Sequence, residues 1–221
     1  MRKMVPVCGV VMTLFASLLF ASPAQASGFL DTPTAPPTDK IVIDVVAVNG
    51  TGCPGHSAEV TVSQDNTAFT VIYSQYMAQV GLGAKPTDLR KNCQIAVVVH
   101  VPQGFTFAIA KADYRGFASV AAGASVMERA NYYFQGQTPT AFVQHSLSGA
   151  FENDWETTDQ LDLASLVFSD CGALRNLNIN TELRAAGGTS NLTKTTSFIS
   201  MDSTDGSINT LYHFAWKRCT A

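Results

Sequence analysis

The stretch Leu177-Asn178-Ile179-Asn180-Thr181-Glu182-Leu183-Arg184 alternates aliphatic or small side chains with amides and charged groups. Because successive side chains of a β-strand point to opposite faces, this period of two predicts a strand with one buried face and one polar face. The same alternation recurs in residues 94–101 and 208–217, where Tyr212 and Trp216 fall on the apolar side. Half-buried strands are therefore the predicted building units of the fold.

Segments of this character, rich in Val, Ile, Thr, Phe and Tyr and bounded by turn residues, recur along the chain. The predicted strands are Ile41–Val48, Ala58–Ser63, Ala68–Ser74, Cys93–Val101, Phe105–Tyr114, Phe117–Ala122, Val126–Phe134, Thr140–Leu147, Leu161–Phe168, Leu174–Arg184, Thr195–Met201 and Ser207–Lys217. Turn residues at 64–67, 102–104 and 203–206 predict hairpins. The sequence predicts an all-β, single-domain antiparallel β-sandwich, with a closed or partly open β-barrel as the alternative.

The first 26 residues have the pattern of a secretory signal peptide. Arg2 and Lys3 precede a largely apolar stretch over residues 4–20, and Ala24-Gln25-Ala26 offers the small residues that signal peptidase requires. The alternative is a membrane anchor, but these 17 residues are at the lower limit for crossing a hydrocarbon layer of about 30 Å. We expect an extracellular protein with no membrane span once the signal is removed.

The rest of the chain divides into a short lead-in and one domain. Residues 27–39 contain three prolines among small polar residues, which predicts a flexible lead-in. Residues 40–221 contain no further low-complexity stretch, repeat or charge block, so they are expected to form a single β-domain.

Cysteine usage agrees with export. Loss of Cys8 with the signal leaves Cys53, Cys93, Cys171 and Cys219, an even number in an oxidising compartment. Four cysteines allow three pairings, and a preference for local closure favours Cys53 with Cys93 and Cys171 with Cys219. A zinc site is the alternative, but the chain has no C-x-x-C motif. Two disulfides and no metal are therefore predicted.

Composition limits the classes of partner. The chain is 46% hydrophobic and 14% charged, which is too apolar for a disordered polypeptide. Its formal net charge is −3, whereas nucleic-acid-binding domains normally display a basic patch or stripe. Nucleic acid is therefore not an expected partner.

Several segments, taken in chain order, carry a resemblance to a known family. These segments are Gly50–Pro54, Asp88–Gln94, Val101–Thr106, Asp113–Ala118, Asn178–Arg184 and Ser203–Cys219. With them the chain resembles a family of small secreted bacterial and fungal proteins catalogued as domain of unknown function 4360, over about residues 41 to 219. The resemblance implies an exported domain that contains disulfides, and it supplies no catalytic residues.

The most unusual patch is residues 151–162, which place five acids around one of the two tryptophans. Asp154, Trp155, Glu156 and Asp159 are the candidate ligand-binding residues, because a tryptophan face beside carboxylates suits a sugar ring and its hydroxyls. The same oxygens could hold Ca²⁺. Paired carboxylates could also serve glycoside hydrolysis. The default interpretation, however, is a solvated acidic loop whose tryptophan packs onto the domain.

Other candidates are weaker. His56, His100, His145 and His213 are scattered, and structural or surface histidines are the default interpretation. The polar side of residues 176–184 places three asparagines in a row, which could bind a polar ligand, although solvent exposure is the default interpretation. No nucleophile, zincin, P-loop, dinucleotide or EF-hand motif occurs in the chain.

These observations leave the activity open and favour a secreted non-enzymatic binding or structural module that contacts a glycan or a surface protein. The alternatives are an extracellular polysaccharide hydrolase that uses carboxylates of residues 152–162, and a calcium-stabilised interaction domain.

Overall fold

The computed structural model describes residues 33–138, 142–162, 165–201 and 209–219. The predicted signal and residues 27–32 of the lead-in lie outside this range. The described end of the lead-in is packed: Thr34 forms a bridge with Trp216, and the Asn66 side chain donates to the carbonyls of Pro37 and Asp39 at 2.9 and 2.8 Å.

The described residues form an antiparallel β-sandwich of two sheets that does not close into a barrel, as the alternation predicts. The strands are β1 (Val42–Asn49), β2 (Ala58–Val62), β3 (Ala68–Tyr73), β4 (Met77–Gly81), β5 (Arg90–His100), β6 (Phe105–Val120), β7 (Ser125–Phe134), β8 (Val143–Ser148), β9 (Phe151–Gln160), β10 (Asn176–Ala186), β11 (Thr196–Ser200) and β12 (Thr210–Arg218). A 3-10 turn covers Pro86–Asp88. The five-stranded sheet has the order β1-β5-β10-β7-β8, and the larger sheet has the order β2-β3-β12-β6-β11-β4, with β9 also paired to β6. Within the described residues, no helix is long and apolar enough to cross a bilayer.

The predicted strands Phe105–Tyr114 and Phe117–Ala122 are one 16-residue strand, β6. The chain does not break at residues 115–116, where Gly116 serves close packing. A Cβ at this position would lie 1.9 Å from the Ser200 carbonyl oxygen and 2.6 Å from the Trp155 ring. The absent side chain therefore lets β9 and β11 approach β6 from its two edges.

The acidic patch, expected as a loop, is instead strand β9, whereas the predicted strand Leu161–Phe168 is not a strand in its described residues. Strand β9 was not predicted because the consecutive polar residues 152–154 obscure the period of two. Ten residues of β9 pair with β6, so ladder hydrogen bonds specify the strand. Strand β4, also missed, is only five residues long.

Of the predicted hairpins, the one at 64–67 is confirmed, because it joins the paired strands β2 and β3. Residues 102–104 instead connect β5 to β6 in the opposite sheet. Residues 203–206 lie outside the described residues. The strands on either side of them, β11 and β12, do not pair with each other but follow one another along the same edge of β6.

Both disulfides have the predicted pairing. Cys53–Cys93 and Cys171–Cys219 have Cα–Cα distances of 5.3 and 5.9 Å. Between the sheets lies an aromatic core, in which the predicted face of the last strand is buried. The largest fully buried side chains are Trp216, Tyr73, Tyr76, Tyr114, Tyr212, Phe69, Phe134, Ile41, Ile95, Leu177, Ile179 and Leu183.

Candidate functional site

Strand β10 lies at the centre of the five-stranded sheet, between β5 and β7. Its apolar side, with Leu177 and Ile179 each 1% exposed, covers the core. Its three asparagines therefore occupy the middle of the sheet's outer face rather than an edge. We call the outward side chains of β5, β10 and β7 around these asparagines the amide surface: Gln94, Asn131, Tyr133, Asn176, Asn178 and Asn180.

The register brings amides from different strands side by side. Asn180 lies opposite Gln94 on one side and Asn131 on the other. The Asn180 Nδ2 donates to Asn131 Oδ1 at 3.1 Å, and Gln94 Nε2 donates to the Tyr133 hydroxyl at 3.5 Å. A row of amides thus crosses the three central strands, with one hydrogen bond inside it and one from Gln94 to Tyr133.

A lower strip runs beside this row. Asn178 pairs with Ala96 on one side and with Tyr133 on the other, and Ala96 in turn pairs with Ala47 of β1. The methyl side chains of Ala96 and Ala47 are shorter than the neighbouring amides and lie on the same face as the half-buried Tyr133 ring. The amide surface therefore combines donors, acceptors and one aromatic ring beside two small side chains.

At one end of the amide surface, three arginines converge on Glu182, and we call these four residues the arginine cluster. Arg90 Nε and Arg129 Nη2 donate to Glu182 Oε2 at 2.7 and 3.1 Å, and Arg184 Nε donates to Oε1. Burial of Glu182 raises its pKa, but the arginines outweigh that effect and hold the pKa below its usual value. Glu182 is 3% exposed and ionised.

The structure does not bring the four predicted site residues together on one surface. Trp155 and Asp159 are 5% and 3% exposed and point between the sheets, whereas Asp154 and Glu156 are exposed on the outer side of β9. Glu156 pairs with Arg115 at 3.0 Å. The Trp155 ring packs over Gly116, so no face of it is open to a sugar.

Asp159 belongs to a buried polar group that bridges the two sheets at their β8 and β9 edges. His145 Nε2 contacts Asp159 Oδ1 at 2.6 Å, and the hydroxyls of Tyr114 and Tyr132 donate to Oδ2 at 3.2 and 3.3 Å. Burial raises the pKa of Asp159, and the hydrogen bond with His145 offsets part of that rise.

Glu128 on β7 faces the same interior. It lies opposite His145 in the β7–β8 ladder and is 1% exposed. Neither of its carboxyl oxygens hydrogen-bonds any group in the described part of the chain. Burial and the nearby charge of Asp159 raise the pKa of Glu128 well above its usual value. Glu128 was not among the predicted site residues, although the period of two over residues 125–134 places it on the same side as Val126 and Tyr132.

The remaining histidines lie apart. His100 contacts Asp44 at 2.8 Å on the surface, and His56 lies in the loop before β2. On the outer side of the larger sheet, His213 Nε2 contacts Asp113 Oδ2 at 2.8 Å. Burial raises the pKa of Asp113, but hydrogen bonds from Lys111, Thr158 and His213 outweigh it and lower the pKa to about 2.

No group of three or more His, Cys, Asp or Glu side chains in the described ranges has a geometry suited to a metal ion. Of the acids on β9, Glu152, Asp154 and Glu156 lie on its outer side and Asp159 lies on its inner side.

Comparison with known proteins gives one sequence relative and several distant structural neighbours. An uncharacterized secreted protein of Arthroderma benhamiae is 36% identical over 186 residues, which are 84% of this chain and 75% of that protein. Among solved structures, TmCBM61 in complex with β-1,4-galactotriose has a TM-score of 0.26 at 8% identity, covering 82% of this chain and 90% of that one. The family 11 carbohydrate-binding module of Clostridium thermocellum has a TM-score of 0.21 at 9% identity, covering 78% and 88%.

The similarity to the fungal protein and the two disulfides identify an exported protein. The family model for the domain of unknown function DUF4360 matches residues 39–219, which is nearly the whole of the described domain. The chain is a secreted member of the DUF4360 family.

Proposed function

We propose that the protein is an extracellular glycan-binding module without catalytic activity, and that the amide surface is its binding site. The observation that carries this proposal is the row that Gln94 and Asn180 form at the centre of an open sheet face, supported by Asn131, which is 5% exposed and accepts a hydrogen bond from Asn180. Of the candidates in the sequence, the polar side of residues 176–184 belongs to the amide surface, and the tryptophan patch does not.

The chemistry of the row matches sugar hydroxyls. Each hydroxyl both donates and accepts a hydrogen bond, and each side-chain amide offers an acceptor oxygen beside two donors. Asn176 and Asn178 make no side-chain hydrogen bond that the described residues show, so their amides are available to a ligand. Tyr133 adds an aromatic side chain with a polar tip, a type enriched at binding surfaces.

Rigidity supports the same role. The amides project from three central strands whose opposite faces are anchored in the core by residues such as Ile95, Leu177 and Phe134. Groups fixed in this way lose little conformational entropy when they bind a ligand.

The observations favour binding over hydrolysis. Glycoside hydrolysis needs a carboxylic acid with a raised pKa within reach of the glycosidic bond. Glu128 and Asp159 have raised pKa values, but they are only 1% and 3% exposed between the sheets. A polysaccharide chain on the surface would not reach them.

The test is retention on an array of neutral and acidic oligosaccharides. Wild-type protein should bind a defined subset, and Tyr133→Ala and Asn178→Ala should weaken that binding by about tenfold, the loss of about 1.4 kcal/mol expected for one good contact. Asn153→Ala, an exposed asparagine on β9, is the matched control and should bind normally. Melting temperatures should be equal for all four proteins. Wild-type protein that binds no oligosaccharide, or variants that bind as well as the wild type, would overturn the proposal.

A further inference from the structure

The arginine cluster holds more positive charge than its single carboxylate neutralises. Three guanidinium groups surround one carboxylate, Glu182, so the cluster has a surplus of two positive charges. The residues opposite its members in the ladders include neutral Asn92 and Gln144, which add no negative charge. This surplus stands out because the chain as a whole has a formal net charge of −3.

The cluster also has unused donors facing solvent. A guanidinium group has five N–H donors, and Glu182 engages only part of each set. The side chains of Arg90 and Arg184 are 59% and 47% exposed. The Nε of Arg129 is buried and has no acceptor among the described residues.

Glu182 orients these donors. It is 3% exposed and ionised, and each arginine meets it through a charge-assisted hydrogen bond, which fixes the guanidinium groups before any ligand arrives. The Phe142 ring, with its centroid 4.3 Å from the Arg129 Cζ, restrains Arg129 further. Planar, pre-oriented guanidinium groups are well suited to bind a carboxylate through two parallel hydrogen bonds.

The cluster is continuous with the amide surface. Glu182 follows Asn180 by two positions on the same side of β10, a spacing of about 6.6 Å along a strand. Arg129 is related to Asn131 in the same way on β7. One oligosaccharide could therefore contact amides and arginines at once.

We propose that the arginine cluster is the anion subsite of the amide surface and that the ligand is an acidic polysaccharide whose sugar rings carry carboxylates. The inference rests on the proposed glycan-binding function and specifies its substrate class. The amides bind hydroxyls of the sugar rings, and the exposed donors of Arg90 and Arg184 bind the carboxylate.

The test uses a matched ligand pair, trigalacturonate and its fully methyl-esterified form, measured by titration calorimetry at low and high salt. Esterification removes the charge and keeps the rings and hydroxyls. The wild type should bind the acid about tenfold more tightly than the ester, and the difference should shrink as salt screens the exposed arginines. Arg184→Ala should reduce binding of the acid to the level of the ester, and Arg184→Lys, which keeps the charge and loses the planar fork, should fall between.

Arg115→Ala is the matched control. It removes the same charge from a side chain that is 50% exposed on the outer side of the larger sheet, paired to one carboxylate. Binding of the acid should be unchanged in this variant. An equal loss in Arg115→Ala and Arg184→Ala would overturn the subsite, because it would show only the effect of net charge.

Failure of the subsite is distinguishable from failure of the proposed function. Acid and ester that bind the wild type equally, both weakened by Tyr133→Ala, would overturn the anion subsite and leave the glycan-binding surface standing. A sulfated oligosaccharide bound more tightly than trigalacturonate would overturn the assignment to carboxylates. If the wild type binds neither form nor any array oligosaccharide, both proposals are wrong.

Discussion

Glu128 and Glu182 lie on neighbouring strands of one sheet, and both are almost fully buried, yet the sheet holds them in opposite states. Glu182 points outward into three arginines, which hold its pKa below the usual value. Glu128 points inward among aromatic rings with no hydrogen-bond partner in the described residues, and burial raises its pKa well above the usual value. Arg129, the residue after Glu128, contacts Glu182. The two faces of β7 are therefore opposite environments. The outer face stabilises a carboxylate, and the inner face disfavours one.

The two glutamates should affect stability at opposite ends of the pH range. For Glu182 the folded pKa is depressed, so its contribution is present above the unfolded pKa and is lost as pH falls through the folded value. For Glu128 the folded pKa is raised, so the folded state binds the extra proton and stability falls as pH rises above about 4.5, the ordinary pKa of glutamate. The difference shows that burial alone does not fix the charge of an acid.

The largest effect is expected from removing the outward glutamate. Glu182→Ala leaves three arginines close together without their shared carboxylate, and we expect the free energy of unfolding at pH 7 to fall by about 2 to 3 kcal/mol. Because the arginines are partly exposed, water screens their charges. The larger loss of stability that follows the breaking of a fully buried ion pair is therefore not expected. Urea unfolding measures the change.

Glu156→Ala is the control for this comparison. Its ion pair with Arg115 has side chains that are 56% and 50% exposed, and such surface pairs contribute about 0 to 1 kcal/mol. Equal losses in the two variants would contradict the special role assigned to Glu182.

The inward glutamate, Glu128, should change how the free energy of unfolding depends on pH. Between the unfolded and folded pKa values of Glu128, the wild type should lose up to about 1.4 kcal/mol of stability per pH unit from this residue. Glu128→Gln keeps the size of the side chain and removes the titration, so its unfolding free energy should decline less steeply from pH 5 upward. Urea unfolding at half-unit pH steps measures both slopes. Parallel curves for the two proteins would show that Glu128 is ionised in the folded state.

The contrast also shows which parts of the structure the sequence could predict. The period of two in residues 177–184 correctly placed Glu182 and the asparagines on a polar face, because alternation is a local property of a strand. Arg184 lies on the same face of the same strand, but the other two partners of Glu182 come from positions 90 and 129, and no local pattern states which strands will be neighbours.

The structure of the tryptophan patch was unpredictable for a related physical reason. Five acids around Trp155 favoured a solvated loop with the tryptophan packed onto the domain; Trp155 is buried beside Gly116, but ten ladder pairs with β6 make the segment a strand. The cysteine pairing was predictable because each bridge closes one contiguous stretch of chain. For Glu128, alternation gave the direction of the side chain, whereas the raised pKa depends on Asp159 from the opposite sheet.

Asp113 extends the comparison to the larger sheet and predicts the smallest effect. Like Glu182 it is an outward acid, held here by the Lys111 ammonium and by a hydrogen bond with His213, each at 2.8 Å. Its folded pKa of about 2 lies below the ordinary 3.8, so its contribution is full above pH 4 and is lost as pH falls toward 2. Because Lys111 and His213 are partly exposed and screened by water, we expect about 1 kcal/mol from this residue. Asp113→Asn should therefore be less stable than the wild type at pH 5 by about that amount, and the gap should close near pH 2.

Glu59→Gln, which removes an exposed acid on β2, is the control for the general loss of a negative charge. A gap that stays constant from pH 5 to pH 2 would show that Asp113 acts through packing or neutral hydrogen bonds. In that case, stabilisation of an outward carboxylate by cations would be confined to the arginine cluster of the five-stranded sheet.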